Sequence, residues 1–345
     1  MVQRLEPADT GLRGQGGQAS FRSWRAEGSR FVVVVLSVAL PVFGLILLGA
    51  VAGRIGFLGS HATGVLNLFV VYLALPAVLI QSMARIRPSA LTSPGLLLAF
   101  GLGILIPFAA SMIWSRREGA DLSDSAIQAL SATFCNTGYM GIPLCLTAFG
   151  EESAVPGIIT MVITAFAQFG GALALVEMGR QSRPYPWRTV RRVSGALVRN
   201  PLLVAPLMGL GIALSGQAIP LAIDRFLTLL GGAATPCALV ATGLMLGEAR
   251  ARFRPAIVAR LVSLKLLVQP AITWVLAFHV IPLPPVWAET ALLMSALPTG
   301  TGAFILAKLY GREAATTSGT VLVSTLLSFF TLSALLAWMG AGPPF

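Results

Sequence analysis

Asn136, Thr137 and Tyr139 stand in the middle of an apolar run, beside Gly138, Gly141 and Pro143. A second run is interrupted in the same way by Pro298, Thr299, Gly300, Thr301 and Gly302. Proline removes a backbone donor and clashes with the preceding turn, so neither stretch continues a helix without cost. In hydrocarbon such a break survives only where protein or a wet cavity satisfies the freed backbone groups. Polar side chains at that depth then do one of two jobs. Either they glue helices together, with glycines permitting close approach, or they line a ligand site. Two breaks in corresponding places of two half-chains favour the site. An unwound segment with free amides at the positive end of a half-helix attracts an anion.

Lysine usage sharpens this picture. Of 24 basic residues only two are lysines, Lys265 and Lys308, and both lie in apolar segments. Lys308 is near the end of its run, where it either snorkels to the interface or serves a ligand. Lys265, followed by Gln269 and Pro270, is deeper. It is read as a counter-charge for an anion or a proton-sensitive switch, with a structural pair to a carbonyl or to Gln269 as the alternative. Glu177, Asp224, Glu248 and Glu289 fall near run ends, and no carboxylate falls mid-run. That weighs against a carboxylate-based cation antiporter and for anion transport.

Enzyme signatures are missing. No HExxH, GxSxG or P-loop occurs, and the glycine alternation at 300–302 lacks the strand–turn–helix setting of a phosphate cradle. Cys135, Cys145 and Cys237 have no metal-ligand spacing, so neither a metal nor a cofactor is expected.

The elements that position these residues follow from composition. The 345-residue chain is 56% hydrophobic and only 11% charged, against about 25% charge in a soluble domain. Its net charge of +11 has no aromatic-interleaved basic stripe, which argues against nucleic acid. An all-α polytopic membrane protein surrounded by lipid is expected. Ten spans are placed near 31–53, 63–84, 94–115, 125–149, 154–179, 195–215, 219–247, 255–281, 286–310 and 314–340. Residues 1–30 read as a disordered polar tail. With the N-terminus outside, 14 arginines of the loops and span ends fall on the cytoplasmic side and 3 on the other, which supports periplasmic termini.

The chain also repeats itself. Pro41 matches Pro201, Gly49 matches Gly209 and Pro76 matches Pro236; further on, Gly141 matches Gly302, Gly150 matches Gly311 and Glu152 matches Glu313. Five spans per half is an odd number, so two inverted five-helix repeats are expected, 31–179 and 195–340, joined by a basic linker over 180–194.

Asn136-Thr137-Gly138-Tyr139-Met140-Gly141-Ile142-Pro143-Leu144 and Ala296-Leu297-Pro298-Thr299-Gly300 together resemble the auxin efflux carrier family, with its bacterial malate and malonate permease-like members. The likeness extends through Ala307-Lys308-Leu309-Tyr310, Ser324-Thr325 and Ser328. Lys265 to Pro270 is similar to that family's basic residue ahead of a proline in the eighth span. The resemblance implies ten spans in two inverted repeats, crossed and broken fourth and ninth helices, organic-anion substrates and a possible homodimer. Cys135 stands where plant members have proline, and their long central loop is replaced by a short basic linker. Both departures favour a small-carboxylate carrier of a bacterial inner membrane over an auxin carrier. The site expected is Asn136, Thr137, Tyr139, Pro143, Lys265, Gln269, Pro298, Thr299, Gly300 and Thr301. Two rivals are a cation-coupled antiporter of the same architecture and a non-transporting ligand sensor.

Overall fold

The computed structural model describes residues 40–56, 58–59, 61–85, 93–180, 201–248 and 253–340. The expected tail over 1–30 and nearly all of the linker lie outside them. The described residues form α1 (Leu40–Ile55), α2 (Ala62–Ala84), α3 (Pro94–Arg117), α4 (Leu122–Ser131), α5 (Thr137–Phe149), α6 (Glu151–Arg180), α7 (Pro201–Ser215), α8 (Leu221–Gly247), α9 (Pro255–Val280), α10 (Pro285–Ala296), α11 (Thr301–Tyr310) and α12 (Ala314–Gly340). Six of them, α2, α3, α6, α8, α9 and α12, are each long and apolar enough to cross a membrane. The runs expected at 125–149 and 286–310 are each split into two short helices.

The same sequence device recurs in three helices. α2, α5 and α9 each contain a widened π turn, over Val70–Ala74, Thr137–Gly141 and Leu264–Val268. Each ends two residues before a proline: Pro76, Pro143 and Pro270. A proline cannot supply the next helical donor, and the extra residue in the turn lets the backbone pass it.

The helices pack in two groups. α1 lies along α8 and α7 along α2, while α3 to α6 and α9 to α12 pack mainly among themselves. The groups meet where α8 touches the first turn of α5 and where α2 touches α6. Without a hydrophobic drive between helices in lipid, small residues that let backbones approach decide the pairs. Gly49 and Gly243 do this for α1 and α8: a Cβ on Gly243 would strike the carbonyl of Ile46 and lie 2.8 Å from the nitrogen of Ala50. Gly209 plays the same part for α7, against the backbone of Ile80. Gly243→Val is therefore expected to force α1 from α8 and lower stability by about 3 kcal/mol, the upper part of the overpacking range. Thermal denaturation of the purified variant in detergent measures this.

Charged residues gather at one end of the second group. Arg260, on α9, pairs with Glu118 at 2.6 Å and donates to Gln128 Oε1 at 2.9 Å, its guanidinium lying over the Trp114 ring. The bond from Arg260 holds the Glu118 carboxyl below the usual carboxylate range. Arg312, in the turn between α11 and α12, pairs with Asp121 and with Asp124, tying that turn to the start of α4. Asp121 itself caps α4, accepting from the Asp124 amide at 2.8 Å.

Candidate functional site

Two interrupted stretches meet, and their backbones hold the meeting together. α10 ends at Ala296 because Leu297, ahead of Pro298, takes an extended conformation with φ −59° and ψ 152°, as residues before proline must. The chain stays extended through Gly300, at φ −77° and ψ 158°, before α11 begins. On the other strand α4 ends at Ser131 and α5 starts at Thr137. Between the ends, Cys135 and Thr299 form an antiparallel bridge. The Asn136 amide donates to the Pro298 carbonyl at 3.0 Å, and the Gly300 amide donates to the Phe134 carbonyl at 2.8 Å. Backbone groups freed by one break are thus satisfied by the other.

Glycine relieves the crowding where the stretches touch. A Cβ on Gly300 would sit 3.1 Å from the Cys135 carbonyl, and one on Gly302 2.6 Å from the Phe134 ring. Side-chain bonds fix the crossing to its surroundings. Thr299 donates from its amide to Ser324 Oγ at 3.0 Å and from its hydroxyl to the Ser131 carbonyl at 2.8 Å.

The bridge has a geometric consequence. Cys135 and Thr299 are flanked by the two hydrogen bonds and do not exchange any themselves, which is the closely spaced kind of antiparallel pair. Thr299→Cys is expected to form a disulfide with the native Cys135 under mild oxidant, in a chain whose Cys145 and Cys237 are alanine. Mass spectrometry of the proteolysed protein reads the linked peptides.

A cavity of about 380 Å³ opens beside the crossing, within the roughly 300–1,000 Å³ usual for small-molecule sites. Asn136, Thr137, Tyr139, Gly300 and Thr301 line it, together with apolar Val71, Met161 and Phe169. Thr137 and Thr301 open the helices α5 and α11, and neither helix has a side-chain cap at its start. The positive ends of two half-helices therefore lie at one cavity. The side chains of Asn136, Thr137 and Thr301 form no hydrogen bond to protein among the described residues. Their capacity is left to a ligand or water. Tyr139 differs: its hydroxyl donates to Asn67 Oδ1 on α2.

The other expected site residues lie behind this surface. Lys265 and Gln269 are fully buried. The Lys265 Nζ donates to Gln269 Oε1 at 2.9 Å and to the Ser295 carbonyl at 2.7 Å, and Gln269 donates in turn to Cys135 Sγ at 3.3 Å. This is the structural pair set out above as the alternative for Lys265. It braces the end of α10 and the back of the crossing. Pro143 is buried in α5, and Thr299 is buried in the bridge beside Pro298. Not one of these five lines the cavity.

Reasoning from sequence passed over Asn67 and Gln168. Gln168 donates to Thr133 Oγ1, two residues before the bridge. Gln168 is the one amide side chain in the run 154–179, and that isolation was the available signal. No group of three or more His, Cys, Asp or Glu side chains that could hold a metal occurs among the described residues.

Crossed helix breaks beside a small polar-floored cavity, in a chain of membrane-length helices, define a membrane transporter. The family model described as membrane transport protein matches residues 34–336, and the chain belongs to that family, which is the auxin efflux carrier family. Among its relatives is the "Putative malonate transporter" of Rhizobium meliloti, 30% identical over 89% of this chain and 97% of its own. An uncharacterized transporter of Methanothermobacter thermautotrophicus is 28% identical over 85% of this chain and 94% of its own. The uncharacterized transporter YfdV of Escherichia coli K12 is 24% identical over 83% and 92%. The family match, with these transporter-named relatives, points to a transporter and not an enzyme.

Proposed function

We propose that this protein is a secondary carrier of small organic anions, with malonate-like dicarboxylates as its substrate class, working by alternating access. The observation that carries the reading is the cavity at the crossing, where two uncapped helix starts converge with three side chains that have no protein partner among the described residues. A carboxylate accepts from backbone amides, from the Asn136 amide and from the Thr137 and Thr301 hydroxyls. Hydrogen bonds to a charged group are each worth about 1.5–3 kcal/mol. The apolar wall accepts a short methylene chain. The name of the Rhizobium relative supports a dicarboxylate.

The two packing groups supply the motion. α1, α2, α7 and α8 act as a frame, and the helices around the crossing move against it. The pairing of α1 with α8 and of α7 with α2, through the sequence-matched Gly49 and Gly209, supports ten spans in two inverted repeats. The arginine distribution supports periplasmic termini, and a bacterial inner membrane is the compartment proposed.

Uptake by proteoliposomes across a panel of labelled mono- and dicarboxylates, with the membrane potential clamped, tests the proposal. Saturable flux of a small dicarboxylate, driven by the potential and unaffected by sodium or proton gradients at fixed potential, is expected. Absence of saturable flux for every carboxylate in the panel overturns it.

A further inference from the structure

A second cavity, of about 400 Å³, adjoins the central one. Both are lined by Asn67, Tyr139, Thr301 and Ile305. The bonded pair Tyr139–Asn67 therefore stands between two chambers, and it links α5 of the moving group to α2 of the frame.

The second chamber follows α11 away from the crossing. Thr301, Ile305 and Lys308 lie on one face of that helix at spacings of four and three residues, so the chamber runs about 10 Å from the crossing to the helix end. Its far wall is α8, at Thr242 and Met245. Lys308 is exposed at this end. Of the two chambers only this one has a charged side chain in its lining, and the charge is positive.

A snorkelling lysine alone needs no chamber. Here the lysine belongs to a cavity that ends on the hydrogen-bonded partition of another cavity. We propose that the chamber is a second anion site. A small carboxylate pairs there with Lys308 and passes to the central cavity when the Tyr139–Asn67 bond opens. This rests on the anion-carrier reading above, and it adds a staging site on the side where Lys308 lies, the cytoplasmic side in the proposed orientation.

The test uses chemical labelling, which needs no transport. In a chain with its three cysteines replaced by alanine, Met245→Cys reports on the second chamber and Ala165→Cys on the central one. Inverted membrane vesicles are treated with methanethiosulfonates carrying either a sulfonate or a trimethylammonium group. At Met245→Cys the sulfonate reagent is expected to react faster, and adding Lys308→Gln should cut that preference about fivefold or more, the scale of one nearby charge in a wet site. Lys308→Arg should keep it. Adding Tyr139→Phe, which removes the hydroxyl but leaves the ring, should speed labelling of Ala165→Cys about fivefold, the scale of one hydrogen bond, and leave Met245→Cys unchanged.

A reagent preference at Met245→Cys that ignores Lys308 overturns the anion site. A rate at Ala165→Cys that ignores Tyr139→Phe overturns the partition. If no carboxylate crosses in the flux assay while both labelling effects appear, the carrier reading fails and the chambers stand as described.

Discussion

Asn136→Ala is expected to lower carboxylate flux about 100-fold with little change in thermal stability. Asn136 has two roles that the substitution separates. Its backbone completes the bridge through the bond to Pro298 and accepts from the amides of Met140 and Gly141, and alanine keeps all of these. Its side-chain amide lines the cavity with no protein partner among the described residues, so its loss strands nothing there. What disappears is a donor to a bound carboxylate, together with the water-excluding fit around it. One hydrogen bond to a charged group corresponds to about 10- to 150-fold. Initial rates in proteoliposomes, with the melting temperature measured beside them, give both halves of the prediction. Unchanged flux would remove Asn136 from the site.

The second large effect is on stability. Gln269→Leu removes one of the two oxygen acceptors of the buried Lys265 amine, leaving the Ser295 carbonyl, and removes the bond to Cys135 Sγ. Both residues are fully buried, and an unmet polar group in such a place costs about 1–3 kcal/mol. Lys265→Met alone has a similar cost, because the Gln269 Oε1 and Ser295 carbonyl then lose their donor. The double variant Lys265→Met/Gln269→Leu is expected to recover much of the loss, since only the Ser295 carbonyl remains unpaired. Melting temperatures of the four proteins form a cycle. Simple addition of the two single effects would show that the residues do not act as a pair.

Much of this arrangement was legible in the chain. Pro298 with Gly300 and Gly302, and Gly138 with Gly141 and Pro143, announced the two breaks because proline and glycine act on the backbone locally. Span ends followed for the same reason: 94–115 is observed as Pro94–Arg117, and 314–340 as Ala314–Gly340. What could not be read was direction. Lys265 and Asn136 are both buried polar residues in apolar runs, and nothing in the sequence says that one faces a cavity and the other a carbonyl. That choice depends on the rotation of α9, which the turn over Leu264–Val268 sets. Asn67 was missed because its partner, Tyr139, lies 72 residues away, and such a contact leaves no local trace.

Substrate protection at the crossing measures most directly whether the anion binds there. Ala165→Cys, in the cysteine-replaced chain, is labelled by the sulfonate thiosulfonate in the presence of increasing malonate. Saturable protection is expected, half-maximal at the malonate concentration that half-saturates flux, and abolished by Asn136→Ala. Labelling that proceeds unslowed at malonate concentrations saturating the flux would place the substrate elsewhere and contradict it.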